Sequence, residues 1–426
     1  MNELPSHFCF GCLVDHKPIS IKKQLVQLAV AVLILILAPT VIGFFNQGSL
    51  DKIRSDNPYL KTNLSVKYDI GKVIAIDNEK IVEDPLANSK VLSQNVRVKI
   101  VNNGVEKIVK QLYQTDFSDP KQKLAINDDL VIRHEPKVFD YNKDGEAEIF
   151  NIVDRFRFSN LIWIGLIFIL LVFVLTGIRG LSSIIGMIFS FVVLTQVLIP
   201  GIVNGANLTG LTFGVGLLIL SVTMLIGHGF TKKTLIALVA GLIAITLASF
   251  LSGWVVDFTM LSGLGTEDAF HLKGNGSTNN INLRGLLISG IIIGVIGIMD
   301  DVTIAQSVAI EEISKANPNL SKWQLFWRGM RIGQDHIISL INTLILAYVG
   351  TALPLVLNFT VNNFSPYWVI FNDQLVAEEI VRSLVGSICI LMAIPITNVL
   401  AAYFLKQQPS NYVKPVFSLV EELKNK

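Results

Sequence analysis

The chain of 426 residues is 51% hydrophobic and only 16% charged. A soluble globular protein carries about 25% charged residues, so an ordinary water-soluble enzyme is excluded and a chain solvated by lipid is indicated. A net charge of +2 argues against nucleic acid as a partner, and three cysteines are too few for a disulfide scaffold.

Residues 1–24 read as a cytoplasmic tail. His7, Cys9, Cys12 and His16 lie within ten positions there, four soft-metal ligands whose spacing matches no known finger; exposed reduced thiols are the plain reading. Residues 25–45 form a first apolar run behind Lys22 and Lys23. It is longer than the apolar core of a signal peptide and no small-x-small cleavage site follows it, so it reads as an uncleaved anchor.

Residues 46–160 hold 36 of the 68 charged side chains, the mark of a water-soluble domain. Ser65 to Ile76, Val96 to Val101, Val105 to Leu112, Leu130 to Arg133 and Glu146 to Val153 are short and rich in Val and Ile. Val96 to Val101 alternates apolar with polar and runs into Asn102-Asn103-Gly104, a hairpin signature. Five or six strands predict a small all-β barrel or sandwich. Asp140, Asn142 and Asp144 with Gly145 form the D-x-N-x-D-G start of a calcium loop, in which alternating oxygens converge on the ion. The twelfth position is Asn151 rather than Glu, and strands rather than helices flank the loop, so a tight turn is the alternative. A divalent cation is the only cofactor the motifs offer.

Residues 161–405 predict seven spans: Leu161 to Gly177, Leu181 to Ile199, Leu208 to Gly227, Thr234 to Trp254, Gly285 to Met299 and beyond, His336 to Leu357, and Ile380 to Leu405. Residues 406–426 form a second cytoplasmic tail. With both ends inside, 14 Lys and Arg face inward and Lys273, Arg284 and Arg382 outward, as the positive-inside rule requires, and residues 46–160 lie outside. The fold class is therefore an all-α polytopic bundle of about eight spans with an inserted extracytoplasmic all-β domain.

Ionisable groups at membrane depth mark function. The apolar stretch Gly285 to Met299 is too short to cross, and periodicity carries the helix on through Asp300 and Asp301 to Ser314. Asp300, Thr303, Ser307, Glu311 and Ser314 fall within about 80° of one another. On the following span Asp335, Ser339 and Asn342 lie within about 60°, with His336 and Thr343 at the edge of that face. Asp300, Asp301, Asp335 and His336 are thus expected at one depth near the inner surface, and with Asn342 they read either as an ion or proton site lining a solute path or as interfacial acids pairing with loop Lys and Arg. Gly290, Gly294 and Gly297, and Gly210, Gly214 and Gly216, point to close helix packing. Leu320 to Gly333, with Trp323, Trp327 and three cations, reads as an interfacial helix. Glu378, Glu379 and Arg382 read as a surface i,i+4 pair. No G-x-x-x-x-G-K-[ST], H-E-x-x-H or G-x-S-x-G occurs, so no enzymatic activity is expected.

Gly294-Val295-Ile296-Gly297-Ile298-Met299-Asp300-Asp301-Val302-Thr303-Ile304-Ala305-Gln306, with Glu311 after it, and Gly333-Gln334-Asp335-His336 leading to Asn342-Thr343-Leu344, Ala347 to Gly350 and Leu353-Pro354-Leu355, resemble the YibE/F-like family of multi-pass bacterial membrane proteins. The resemblance covers about residues 160 to 405 and is closest to the larger, YibE-type member, since an anchor and an outside domain precede the helical core. It implies a bacterial cytoplasmic-membrane location and a smaller sister subunit as partner, but no biochemical activity. The expected function is transport of an ion or small solute; the alternative is a scaffold whose external domain recruits envelope proteins.

Overall fold

A computed structural model describes residues 67–84, 89–101, 106–114, 123–140, 145–266, 281–354 and 366–406, with Ala29, Ala269, Leu272, Leu357 and Val361. The chain divides into two compact units, with a boundary between Leu171 and Val172.

The first unit is a five-stranded antiparallel sheet: β1 (Lys67–Asp84), β2 (Ser89–Ile100), β3 (Glu106–Gln114), β4 (Asp129–Asp140) and β5 (Gly145–Arg155), in the order β3-β2-β1-β4-β5. The expected hairpin joins β2 to β3, with Val98 opposite Lys107. Alternation sends Val96, Val98 and Ile100 into a core with Val73, Val109, Leu130 and Ile132, while Lys99 stays exposed. Gly71 lies beneath Ile132 and Val98, where a Cβ would stand 2.5 Å or less from both side chains, so glycine permits this close crossing inside a strand. The outer strands β3 and β5 approach each other, and Lys107 Nζ sits 4.8 Å from the Phe150 ring centroid. The sheet is thus curled toward a barrel, and its strand order is that of the five-stranded OB-type barrel. Strand β1 runs eight residues past Ile76 because Asn78 to Asp84 pairs with β2; those polar residues carry no strand pattern in sequence.

Lys123 and Gln94 both donate to Glu79, Lys123 at 2.7 Å, and the Lys123 hydrogen bond, then that of Gln94, hold the Glu79 carboxyl below its ordinary value of 4.5. A lowered folded-state value adds stability above the unfolded value, and that stability is lost as pH falls through the folded one. Lys123→Ala is therefore expected to raise the Glu79 midpoint, read by carboxyl NMR, and to weaken this acid sensitivity.

The second unit is helical from Val172 on, and the helix that leads into it starts at Phe158 within the first unit. The remaining elements are α1 (Phe158–Thr176), α2 (Ile178–Val193), a π-helical turn (Leu194–Leu198), α3 (Ile199–Val203), α4 (Leu208–His228), α5 (Lys232–Phe258), α6 (Leu283–Ala316), α7 (Lys322–Thr351), α8 (Tyr367–Asn372) and α9 (Gln374–Phe404). Among the described residues seven helices are long and apolar enough to cross a membrane. Helix α1 is apolar all round with no buried residue, a surface that water does not tolerate. The expected anchor at 25–45 lies outside the described residues apart from Ala29.

Helix α6 is the hub, touching α4, α5, α7 and α9. It runs on past Met299 as periodicity predicts, and its 34 residues span about 51 Å. Asn282 caps its start by accepting from the Gly285 amide. Close packing around it comes from residues the sequence pattern did not single out. Ala237, Gly241, Ala244, Ala248 and Ser252 form the buried face of α5, and a Cβ on Gly329 or Gly333 of α7 would meet Ile310 or Ile394 at under 3 Å. Of the glycines expected to pack, Gly216 does, lying against Ile296, whereas Gly214 and Gly297 have no neighbour within 4 Å of a Cβ.

Leu320 to Gly333 does not form a separate interfacial helix. Ser321 and Gln324 make a capping box that starts α7 at Lys322, and the helix continues unbroken to Thr351. The amphipathic stretch is thus the first half of the sixth described span, since no proline interrupts it.

Gly263, after α5, has φ +80°, and a Cβ there would lie 2.2 Å from the Leu283 carbonyl oxygen. Only glycine satisfies both conditions. Gly263→Ala is expected to destabilise by about 1–3 kcal/mol or more, seen as a lower unfolding midpoint of the detergent-solubilised protein; an unchanged midpoint contradicts it.

Candidate functional site

Asp300 is the eighteenth of the 34 residues of α6 and lines a cavity of about 290 Å³ between α2, α4 and α6. Its lining includes Ser183, Ser190, Thr223 and Gly297 together with Leu194, Ile293 and Ile296. Asp300 Oδ1 is buried with no hydrogen-bond partner. His228 Nε2, at the end of α4, stands 3.9 Å away, too far for a hydrogen bond and near enough to balance charge.

The hydroxyls in this wall have a defined polarity. Ser190 donates to the Gly186 carbonyl at 3.0 Å and Thr223 to that of Ile219 at 2.9 Å, each within its own helix. The hydroxyl protons being engaged, the oxygens present lone pairs. A carboxylate with such oxygens favours a cation or a hydrogen-bond donor.

The structure distributes the other expected residues differently. Gly294 and Gln306, each six residues from Asp300, are the α6 positions beside Tyr348 and Gly333 of α7, and both lie about 120° round the helix from it, on opposite sides. Helix α7 therefore meets the far side of α6. Asp335 and Asn342 are exposed, and neither they nor His336 line the Asp300 cavity; His336 has its Nε2 buried without a hydrogen-bond partner. Asp301 is also exposed. The one-face reading on each helix holds, but the two faces do not meet. Further along α6, Glu311 pairs with Lys233 at 3.1 Å and Lys315 at 3.2 Å, and Ser307 donates to the Lys233 carbonyl at 2.9 Å, the structural role weighed for acids near the interface. The calcium motif falls outside what is described: Asn142 and Asp144 are not placed, and Asp140 is known only as the last residue of β4. Among the described residues no three His, Cys, Asp or Glu are placed to hold a metal.

Sequence reasoning missed two features. Glu378, expected at the surface, is buried at 4% exposure; it accepts from the Gly265 amide and from Gln374, both at 3.1 Å. Arg382 pairs instead with Glu379, at 3.7 Å. Glu378 and Arg382 line a second cavity of about 240 Å³ with Thr266, Ser289 and Gly290. The loop 259–266 folds over α9, which sequence cannot show. Gln306 and Asn398 are also buried polar residues beside Gly333 and Gly329, with side-chain atoms lacking hydrogen-bond partners; their signal was an amide within an apolar stretch of each helix.

Seven helices long and apolar enough to cross a membrane, one of them a hub that carries a half-buried carboxylate, define a polytopic membrane protein. The family model of the YibE/F-like proteins matches residues 164–407, more than half of the chain, so the chain belongs to that family. No curated protein and no solved structure matches it.

Glu378→Ala leaves two donors without an acceptor and is expected to destabilise by about 1–3 kcal/mol. Glu378→Gln, whose carbonyl still accepts, should recover most of that. Thermal unfolding of both variants checks the order; equal losses contradict the role of the acceptor.

Proposed function

We propose that the protein is a transporter of an ion or small solute in the bacterial cytoplasmic membrane, with the Asp300 cavity as its site. The carrying observation is the half-buried Asp300 carboxylate, whose Oδ1 is buried without a hydrogen-bond partner, in a largely apolar cavity that also holds the hydroxyls of Ser183, Ser190 and Thr223. Such a group is costly in hydrocarbon unless a bound partner satisfies it. In this reading an eighth helix at 25–45 anchors the chain, the sheet unit faces outside and both termini face the cytoplasm. The distribution of cations supports it: Lys232, Lys233, Lys315 and Lys322 cap one set of helix ends, while Arg284 pairs with Asp257 at the opposite set. A smaller sister subunit of the family is the partner we propose.

The test is thermal stability of the purified full-length protein in detergent across monovalent and divalent cations, beside Asp300→Asn and Asp335→Asn. A ligand at 100 times its dissociation constant adds about 2.7 kcal/mol. A cation-dependent rise in midpoint is expected in the parent and in Asp335→Asn, and is lost in Asp300→Asn. No cation response in the parent, or one that survives in Asp300→Asn, overturns the assignment.

A further inference from the structure

The cavities that hold Asp300 and Arg382 have one lining residue in common, Ile293 of α6. The π turn contributes to both as well, Leu194 to the first and Leu198 to the second. On α6 the lining residues from Ser289 on, namely Ser289, Gly290, Ile293, Ile296, Gly297 and Asp300, fall within about 120° at 100° per residue, while Leu283, Leu286 and Leu287 line the start of the helix in the second cavity. From Ser289 to Asp300 is about 16 Å of rise, half of a hydrocarbon core of about 30 Å. Each cavity has charged or hydroxyl groups away from the common boundary, and the boundary itself is aliphatic.

We propose that the two cavities are the two ends of one path along α6, closed at its middle by Ile293 against the π turn Leu194–Leu198. The proposal rests on the transport reading of the Asp300 cavity and adds the second half of the route and its barrier. Three features support it. An aliphatic constriction between two chambers that each hold charged and hydroxyl groups gates by excluding water. A π turn within a span departs from the α register, and such turns recur at functional sites. Gly290 and Gly297 flank Ile293 on the lined face, and a Cβ at Gly297 meets nothing within 4 Å while one at Gly290 meets only the Arg382 guanidinium, at 3.7 Å or more. These glycines keep the space open rather than bring helices together.

The test is cysteine accessibility in sealed membrane vesicles, using the full chain with Cys9, Cys12 and Cys389 replaced by Ala and a small, membrane-impermeant methanethiosulfonate. The open space at both glycines makes Gly290→Cys and Gly297→Cys tolerable. The expected result is labelling of Gly290→Cys from one side of the membrane and Gly297→Cys from the other, with Ile293→Cys reacting at least tenfold more slowly than either. Adding Ile293→Ala to the Gly290→Cys chain should raise its labelling from the opposite side at least tenfold. Labelling of both cysteines from the same side, or of neither in a chain that keeps the parent's unfolding midpoint, overturns the path. The readout needs no solute to be transported: the two-sided pattern supports the path even if Asp300→Asn leaves the cation response intact, which would sink the transport reading alone.

Discussion

Lipid gives helices no hydrophobic reason to associate, so a bundle in a bilayer depends on how closely its backbones approach. Here that constraint settles on α6, the helix that four others touch. Helix α5, with its row of buried alanines, lies against it, and Gly329 and Gly333 bring α7 close. The side toward α2 and α4 is less tightly filled, and the Asp300 cavity lies there. Tight packing on one side and space on the other leaves a carboxylate at mid-helix with no hydrogen bond to its Oδ1 and with the His228 imidazole near it.

The sheet unit obeys a different rule. In water, five strands with one apolar face must curl to bury it, and the close crossing over Gly71 and the approach of β3 to β5 accomplish this. Its outward charges pair across strands, as Arg97 does with Asp77 at 3.0 Å, but these pairs are exposed and add little stability. They keep the surface soluble while the alternating valines hold the fold.

Much of this architecture was legible in sequence because hydrophobicity has a period. The seven described spans, the β2–β3 hairpin, the continuation of α6 past Asp300 and the shared face of Asp335 and Asn342 all follow from spacing alone. What spacing cannot give is the neighbour across a face. Asp335 stands on a coherent polar face that points away from Asp300, and His228, on a helix two spans earlier, is the group that approaches it. Glu378 looked like a surface acid because nothing local reveals that the loop after α5 folds over it. Glycines misled in the same way: of Gly290, Gly294 and Gly297, only Gly294 comes close to a neighbouring helix, where a Cβ would lie 3.0 Å from the Tyr348 hydroxyl, while Gly297 borders open space, and only the position of the next helix decides which.

The hydroxyls around the Asp300 cavity form their hydrogen bonds within their own helices. Ser190 and Thr223 satisfy their protons one turn back on the same helix, so each is a self-contained unit that ties no helix to another. Exchanging such a residue for alanine removes an oxygen from the wall without orphaning a group elsewhere. The chemistry of the cavity can therefore drift during evolution, one hydroxyl at a time, while the bundle that surrounds it is left unchanged.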